Sequence, residues 1–354
     1  MTWSDKRILD LFDIELPILQ APMANSTGVE MAIAVAAAGG LGALPCAALT
    51  PKEIEAGVAA FRDQTKAPLN LNFFCHEEAP ADPEKDRAWL AHLAPYFAAL
   101  DVEPPPLPLP GGHPPFGEES CAVVEALRPE IVSFHFGLPP APLFARVKVT
   151  GCKILCSATS LREAKVLVEL GVDAIIAQGS EAGGHRGMFL ETEAASQVGT
   201  FALVRAICAF TSLPVIAAGG FADGTAIAAA FALGASAVQI GTAYLLCPEA
   251  WTHAQHRAAL ADPDRETAIT NVLTGRPARG IVNRFMREQG FINKDAPAFP
   301  YGRPAIAPLR VKAEAEGAMD FSPLWSGQAA NLPAPMSAKE LTRHLAREAE
   351  ALLG

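Results

Sequence analysis

The chain alternates short apolar runs with longer segments in which apolar and polar positions recur at helical spacing. Eight runs have strand length: PILQAPM (17–23), LGALPC (41–46), LNLNFF (69–74), IVSFHFG (131–137), KILCSAT (153–159), AIIAQG (174–179), PVIAAGG (214–220) and AVQIGTA (237–243). Continuous apolar runs of this length mark strands covered on both faces. Helical spacing predicts helices over 28–38, 51–64 and 160–170. Thr50 stands before Pro51 as an N-cap, and Gly171 sits where a helix C-terminus takes a glycine.

Strands alternating with helices imply a parallel sheet, and eight such units suit a closed (β/α)8 TIM barrel. An open doubly wound sheet would carry phosphate-binding glycines after its first strand. Here the first strand runs into APMANS, and the glycines gather after the sixth, seventh and eighth. Beyond Cys247 the pattern turns helical and irregular to Gly354. The expected organisation is therefore a barrel over 1–247 and, over 248–354, the last barrel helix with an appended smaller C-terminal helical cap. The Pro-rich stretch 103–117 (EPPPLPLPGGHPPFG) reads as an extended surface insert.

Composition narrows the function classes. Half of the residues are apolar, 19% are charged, and the net charge is -10. Nucleic-acid binding needs clustered cations and is not expected. Stretches 31–50 and 224–247 lack charges and are long enough to span a bilayer. Both are Ala/Gly-rich and broken by Gly39, Gly40, Gly42 and Pro45, or by Gly234 and Gly241. A buried helix turning into a buried strand accounts for them, so no membrane partner is expected. Seven cysteines without a C-x-x-C pair, and no basic apolar leader, read as reduced thiols in a cytoplasmic protein without a metal site. A homo-oligomer is compatible with this composition.

Barrel enzymes place their sites at the C-terminal ends of the strands, and the loops after strands seven and eight often grip phosphate. Those loops are AAGGFADG and QIGTAY. Gly219 and Gly220 let the backbone approach a ligand, and Asp223 can cap a helix whose amides would face the site. Gly241 and Thr242 add an amide and a hydroxyl, after Gln239 and Ile240. Asn72 and Gln178 are strand-end amides able to donate and accept at the edge of a flat heterocycle. The turn Ala21, Pro22, Met23 offers backbone groups and a thioether against a ring. Together these suggest a phosphorylated aromatic cofactor across the barrel mouth. In strand 131–137, alternation puts Ser133, His135 and Gly137 on one face and Phe134 and Phe136 on the other.

The pieces APMA (21–24), NLNFFCH (70–76), SFHFGLP (133–139), SATS (157–160), AQGSEAGGHRG (177–187), AAGGFADG (217–224), QIGTAYLLCPEA (239–250) and SPLWSGQ (322–328) resemble, in order, the nitronate monooxygenase family, class I branch. The resemblance covers nearly the whole chain. It implies FMN as cofactor and oxidation of alkyl nitronates, such as propionate 3-nitronate, by O2 to a carbonyl product and nitrite. It carries Asn72, Gln178, Gly183, Gly220 and Gln239 to Thr242 over as FMN contacts. His185 becomes the histidine facing the flavin, and His135 a second histidine near the substrate. Gly183 and Gly184 would let the loop pass close to the ring. His185 would hold the nitronate oxygens as imidazolium, or take the α-proton of a neutral nitroalkane as imidazole. Arg186 either adds charge nearby or points to solvent, and Tyr301 in FPYGRP would close the site from the cap. His76, His113, His253 and His256 need no role, the last two reading as a solvated helix face. Related flavin barrels include NAD(P)H-dependent reductases of quinones and enoyl thioesters. A non-redox barrel that binds a phosphorylated metabolite is the other alternative.

Overall fold

The computed structural model describes residues 3–112, 114–191, 193–329 and 332–354, so His113 lies outside the described residues. In chain order the strands are β1 (Ile18–Gln20), β2 (Gly42–Pro45), β3 (Leu69–Phe74), β4 (Ile131–His135), β5 (Lys153–Ala158), β6 (Ala174–Gln178), β7 (Gly184–His185), β8 (Val215–Ala218), β9 (Ala237–Ile240), β10 (Thr267–Thr270) and β11 (Ala278–Ile281). Eight of them form one parallel sheet in the order β1-β9-β8-β6-β5-β4-β3-β2. It closes where Leu19 pairs with Leu41, the Gln20 N–H donating to the Leu41 carbonyl at 2.9 Å. The fold is the expected (β/α)8 barrel.

Local signals act as read. Thr50 caps the helix Pro51–Gln64 in a box with Glu53, and Ser160 caps Leu161–Leu170, which ends on left-handed Gly171. The uncharged stretches fold as a helix, a turn and a strand (Val29–Ala36 into β2, Gly224–Ala232 into β9). No helix among the described residues is long and apolar enough to cross a membrane.

Inside the barrel, Leu19, Leu41, Ile131, Leu155, Ile176, Ile216 and Ala237 form the lower layer. An N-terminal helix, Arg7–Phe12, plugs that end with Ile8 and Phe12. Each such burial contributes about 1.5 to 3 kcal/mol. Two positions further along these strands lie Ser133, Ser157, Gln178 and Gln239, so period-two alternation lines the mouth with polar groups.

The cap has its own core, and two stretches of chain build it. Trp89, Leu93, Phe97 and Leu109 from the third crossover pack with Val272, Phe285, Ile306, Leu309 and Phe321. This corrects two expectations. The cap is not confined to the C-terminal segment, and 103–117 is not only a surface excursion. Leu109 is buried in the cap and Phe116 in the barrel. The final helix, Ala338–Leu353, returns to the barrel wall, where Thr342 Oγ1 meets the buried Tyr244 hydroxyl at 2.6 Å. The strands β10 and β11 add β7 as a third, antiparallel member, so the glycine-rich loop is stitched to the cap.

Candidate active site

His185 reaches the mouth on β7, whose backbone is fixed from several sides. His185 pairs with Ala278 in β11, and the Arg186 N–H donates to the Pro277 carbonyl at 2.9 Å. The His185 carbonyl accepts from Gln178 Nε2 (3.0 Å) and His135 Nε2 (3.1 Å), while Gln178 Oε1 accepts from the Gly187 N–H at 2.7 Å. Glycine is needed at 183 because a Cβ there would stand 2.6 Å from the Gly327 nitrogen.

Arg186 does not point to solvent. It is fully buried, and its guanidinium donates to Gln197 Oε1 and to the carbonyls of Gln178, Gly179 and Ala182. A hairpin of carbonyls around a buried cation makes this loop a rigid support rather than a flexible one.

The His185 ring sits in an aromatic box. Ring centroids of Trp325, Phe299, Phe136 and Phe74 lie at 5.4, 5.5, 6.0 and 6.4 Å. Nε2 is 3.0 Å from Thr274 Oγ1, whose single proton is directed to the Arg276 carbonyl at 3.3 Å. Where the Thr274 proton goes to that carbonyl, Nε2 donates to Thr274 and Nδ1 keeps its lone pair. Burial first, then the charges around it, lower the His185 pKa to about 3, so the ring is neutral across the physiological range.

His135 is held at both nitrogens. Nε2–H goes to the His185 carbonyl, and Nδ1 accepts from the Ser157 hydroxyl at 2.9 Å. Neither nitrogen is left for a substrate, which makes His135 a positioning residue for the His185 backbone. Its pKa is likewise lowered to about 3, chiefly by burial.

Strand alternation breaks at Phe136. Its φ of +71°, followed by +88° at Gly137, turns the chain left-handed. The Phe136 ring thereby joins Phe74, His135 and His185 at the mouth, instead of lying with Phe134 in the outer core. A left-handed phenylalanine is a strained conformation, of the kind that clusters at functional sites.

The proposed cofactor contacts are brought together at one rim. The Ala21 N–H donates to the Ile240 carbonyl, and a Cβ built on Gly241 would meet Ala21 and the Met23 sulfur, each at 3.4 Å. Asn72 Nδ2 donates to the Ser133 hydroxyl at 2.9 Å. Gln239 Oε1 is buried without a partner. The helix N-terminus expected to face an anion is already filled. Asp223 accepts from the Ala226 N–H (2.8 Å), and Glu348 of the last helix accepts from the Gly224 N–H (3.1 Å). Two carboxylates there exclude a phosphate by charge. The N–H groups of Gly220, Gly241 and Thr242 remain without a partner among the described residues, with Gly219 and Gly220 left-handed.

Tyr301 packs with the cap core, and the cap aromatic that reaches His185 is Phe299. Of His253 and His256, the first is exposed as expected and the second is not. His253 caps the helix Ala254–Ala261, and His256 is buried with Nε2 on the Trp325 carbonyl at 3.2 Å. Sequence reasoning passed over Phe74, Phe136, Thr274, Arg276, Phe299 and Trp325. Phe136 before Gly137 in HFGLP is a local signal, whereas Thr274 and Arg276 arrive from distant sequence.

A family model described as nitronate monooxygenase matches residues 5–348. The chain is 42% identical to a nitronate monooxygenase of Pseudomonas aeruginosa, over 97% of this chain and 98% of that one. It is 41% identical to one of Paraburkholderia phytofirmans, over 97% and 94%. Among solved structures it is similar to nitroalkane oxidase from Streptomyces ansochromogenes, with 34% identity and a TM-score of 0.88 over 98% of both chains. FabK from Thermotoga maritima gives 25% identity and a TM-score of 0.72 over 99% of this chain and 98% of that one. With its TIM barrel and its histidine seated over the mouth, the chain is an enzyme of the nitronate monooxygenase family.

Proposed function

We propose that the protein oxidises alkyl nitronates, propionate 3-nitronate among them, with O2 to a carbonyl product and nitrite, using non-covalently held FMN. The observation that carries this reading is the neutral His185 ring, hydrogen-bonded through Nε2, in an aromatic box above the polar barrel mouth. FMN fits the residues present. Unpartnered N–H groups at Gly220, Gly241 and Thr242 suit its phosphate, and the orphaned Gln239 Oε1 suits a ring N–H. Asn72, Gln178 and the Ala21, Pro22, Met23 turn would flank the ring system. When bound, FMN supplies the one-electron and O2 chemistry.

The protein's own contribution is placement. Phe136, Phe299, Trp325 and Phe74 exclude water around His185. The Thr274 contact orients its ring, and His135, Gln178 and Arg186 fix its backbone. A neutral imidazole with a pKa near 3 is a weak base for a carbon acid. This favours pre-formed nitronates over neutral nitroalkanes. An absorbance spectrum of the purified protein, followed by anaerobic addition of an alkyl nitronate, tests the reading. A flavin spectrum that bleaches with nitronate supports it; a colourless protein after FMN reconstitution, or bleaching by NADH alone, refutes it.

A further inference from the structure

Three histidines at the site, His76, His135 and His185, share one cationic neighbour. Arg276 acts against protonation of each. It lies between β10 and β11, with its guanidinium carbon 4.1 Å from the Phe136 ring centroid and one Nη donating to the Met188 carbonyl. Its Nε is buried without a hydrogen-bond partner, and no salt bridge among the described residues includes it. Burial lowers its pKa to about 10, which still leaves it charged at neutral pH. Of the two carboxylates whose field it feels, Glu163 is engaged by Thr159 and by the Phe189 and Leu190 N–H groups, and Glu77 is solvent-exposed and in no salt bridge with it. A largely buried cation with no carboxylate in contact is costly unless an anion joins it.

His76 stands beside it. It is 4% exposed, and its Nδ1 also lacks a partner. Its ring lies 6.2 Å from Phe136 and 4.9 Å from Phe299, which in turn lies 5.5 Å from His185. Two orphaned nitrogens and one unpaired charge therefore stand on the same aromatic wall as His185. His185, being neutral, cannot itself supply positive charge to an anionic substrate.

We propose that Arg276, with His76 beside it, receives the substrate's oxyanion. This rests on the nitronate reading, but its test is separable. A nitronate and a carboxylate each present two oxygens on one planar centre, which a guanidinium N–H pair recognises. The shared chemistry is a planar oxyanion. The source is either the nitronate group itself or a carboxylate carried on the same substrate.

The experiment titrates the oxidised, flavin-loaded enzyme with nitrate and with acetate at constant ionic strength. Binding is followed by tryptophan fluorescence and the flavin spectrum, with acetamide as a neutral control. Saturable anion binding is expected in the parent. It should weaken about ten- to a hundred-fold in Arg276→Gln, the usual effect of losing one charged hydrogen bond. The loss should be smaller in His76→Gln, and acetamide should be unaffected. KM for an alkyl nitronate without a carboxylate should rise in Arg276→Gln if the nitronate group is the ligand. Only the KM of propionate 3-nitronate should rise if the carboxylate is. Unchanged anion affinity in a folded, flavin-loaded Arg276→Gln, or no saturable anion binding by the parent, overturns the proposal. Should that variant not fold, Arg276→Lys keeps the charge and loses Nε. Several-fold weaker anion binding is then expected, and unchanged binding overturns. Arg276-dependent anion binding in a protein that oxidises no nitronate would refute the functional reading and leave this one standing.

Discussion

Replacing His185 by asparagine separates its two conceivable duties. Asparagine has a similar reach and can donate to Thr274 Oγ1, but it cannot take a proton. The ring is already neutral at working pH, its pKa lowered to about 3, so it contributes no positive charge for the variant to lose. For a pre-formed nitronate the change removes at most a neutral hydrogen bond and some packing within the aromatic box. A neutral bond contributes about 0.5 to 1.5 kcal/mol, so the rate should fall roughly two- to tenfold. For a neutral nitroalkane the variant loses the base. Such losses cost about a hundred- to ten-thousand-fold. Because a base of pKa near 3 is a poor one, the lower end, about a hundredfold, is expected. The assay is anaerobic stopped-flow reduction of the flavin by each substrate form, in parent and variant, with flavin content matched. Equal losses on both forms would refute the base assignment. A hundredfold loss on the nitronate alone would show that His185 carries charge to the anion, contrary to its environment.

Other outcomes follow from the same geometry. Gly220→Asp places a carboxylate beside the expected phosphate at a residue with φ +87°. Repulsion of about 1 to 4 kcal/mol at close range should weaken flavin binding roughly five- to several-hundred-fold, read by flavin occupancy and dissociation constant. Arg186→Met strands the carbonyls of Gln178, Gly179 and Ala182, each costing about 1 to 3 kcal/mol. Urea unfolding should show a loss of roughly 3 kcal/mol or more, with nitronate turnover reduced as the His185 loop loses its support. His135, His185, His76 and His256 have folded pKa values of about 3, 3, 4 and 4, below the unfolded value near 6.5. Between these limits the unfolded chain binds more protons, so stability is full above pH 6.5 and falls as pH drops toward 4. The slope is up to about 1.4 kcal/mol per pH unit for each histidine. Thermal midpoints from pH 7 to 4 should show this, and His256→Asn should flatten the curve.

The barrel was legible because parallel strands buried on both faces write themselves as apolar runs, and because Thr50, Ser160 and Gly171 act through local hydrogen bonds and backbone freedom. The mouth was legible wherever alternation holds, as at Asn72, Ser133 and Gln178. It failed at Phe136, where a left-handed residue reverses the alternation and brings the ring inward. Arg186 in a glycine-rich loop looks solvent-bound in sequence, since nothing local reveals that carbonyls from Gln178 to Ala182 fold around it. The filling of the 224 helix terminus by Glu348 depends on a contact 124 residues away. Phe299, Trp325, Thr274 and Arg276 come from the cap, whose core joins stretches of chain on either side of five barrel strands.

The central claim is that this mouth binds FMN and that His185 meets a nitronate there. The most direct measurement is a structure of the protein, reconstituted with FMN, reacted or co-crystallised anaerobically with an alkyl nitronate. The account predicts FMN phosphate on the Gly220, Gly241 and Thr242 N–H groups, the ring under His185, and the ligand between them within reach of His185 Nδ1. Flavin bound elsewhere, or a ligand seated away from His185, would contradict it.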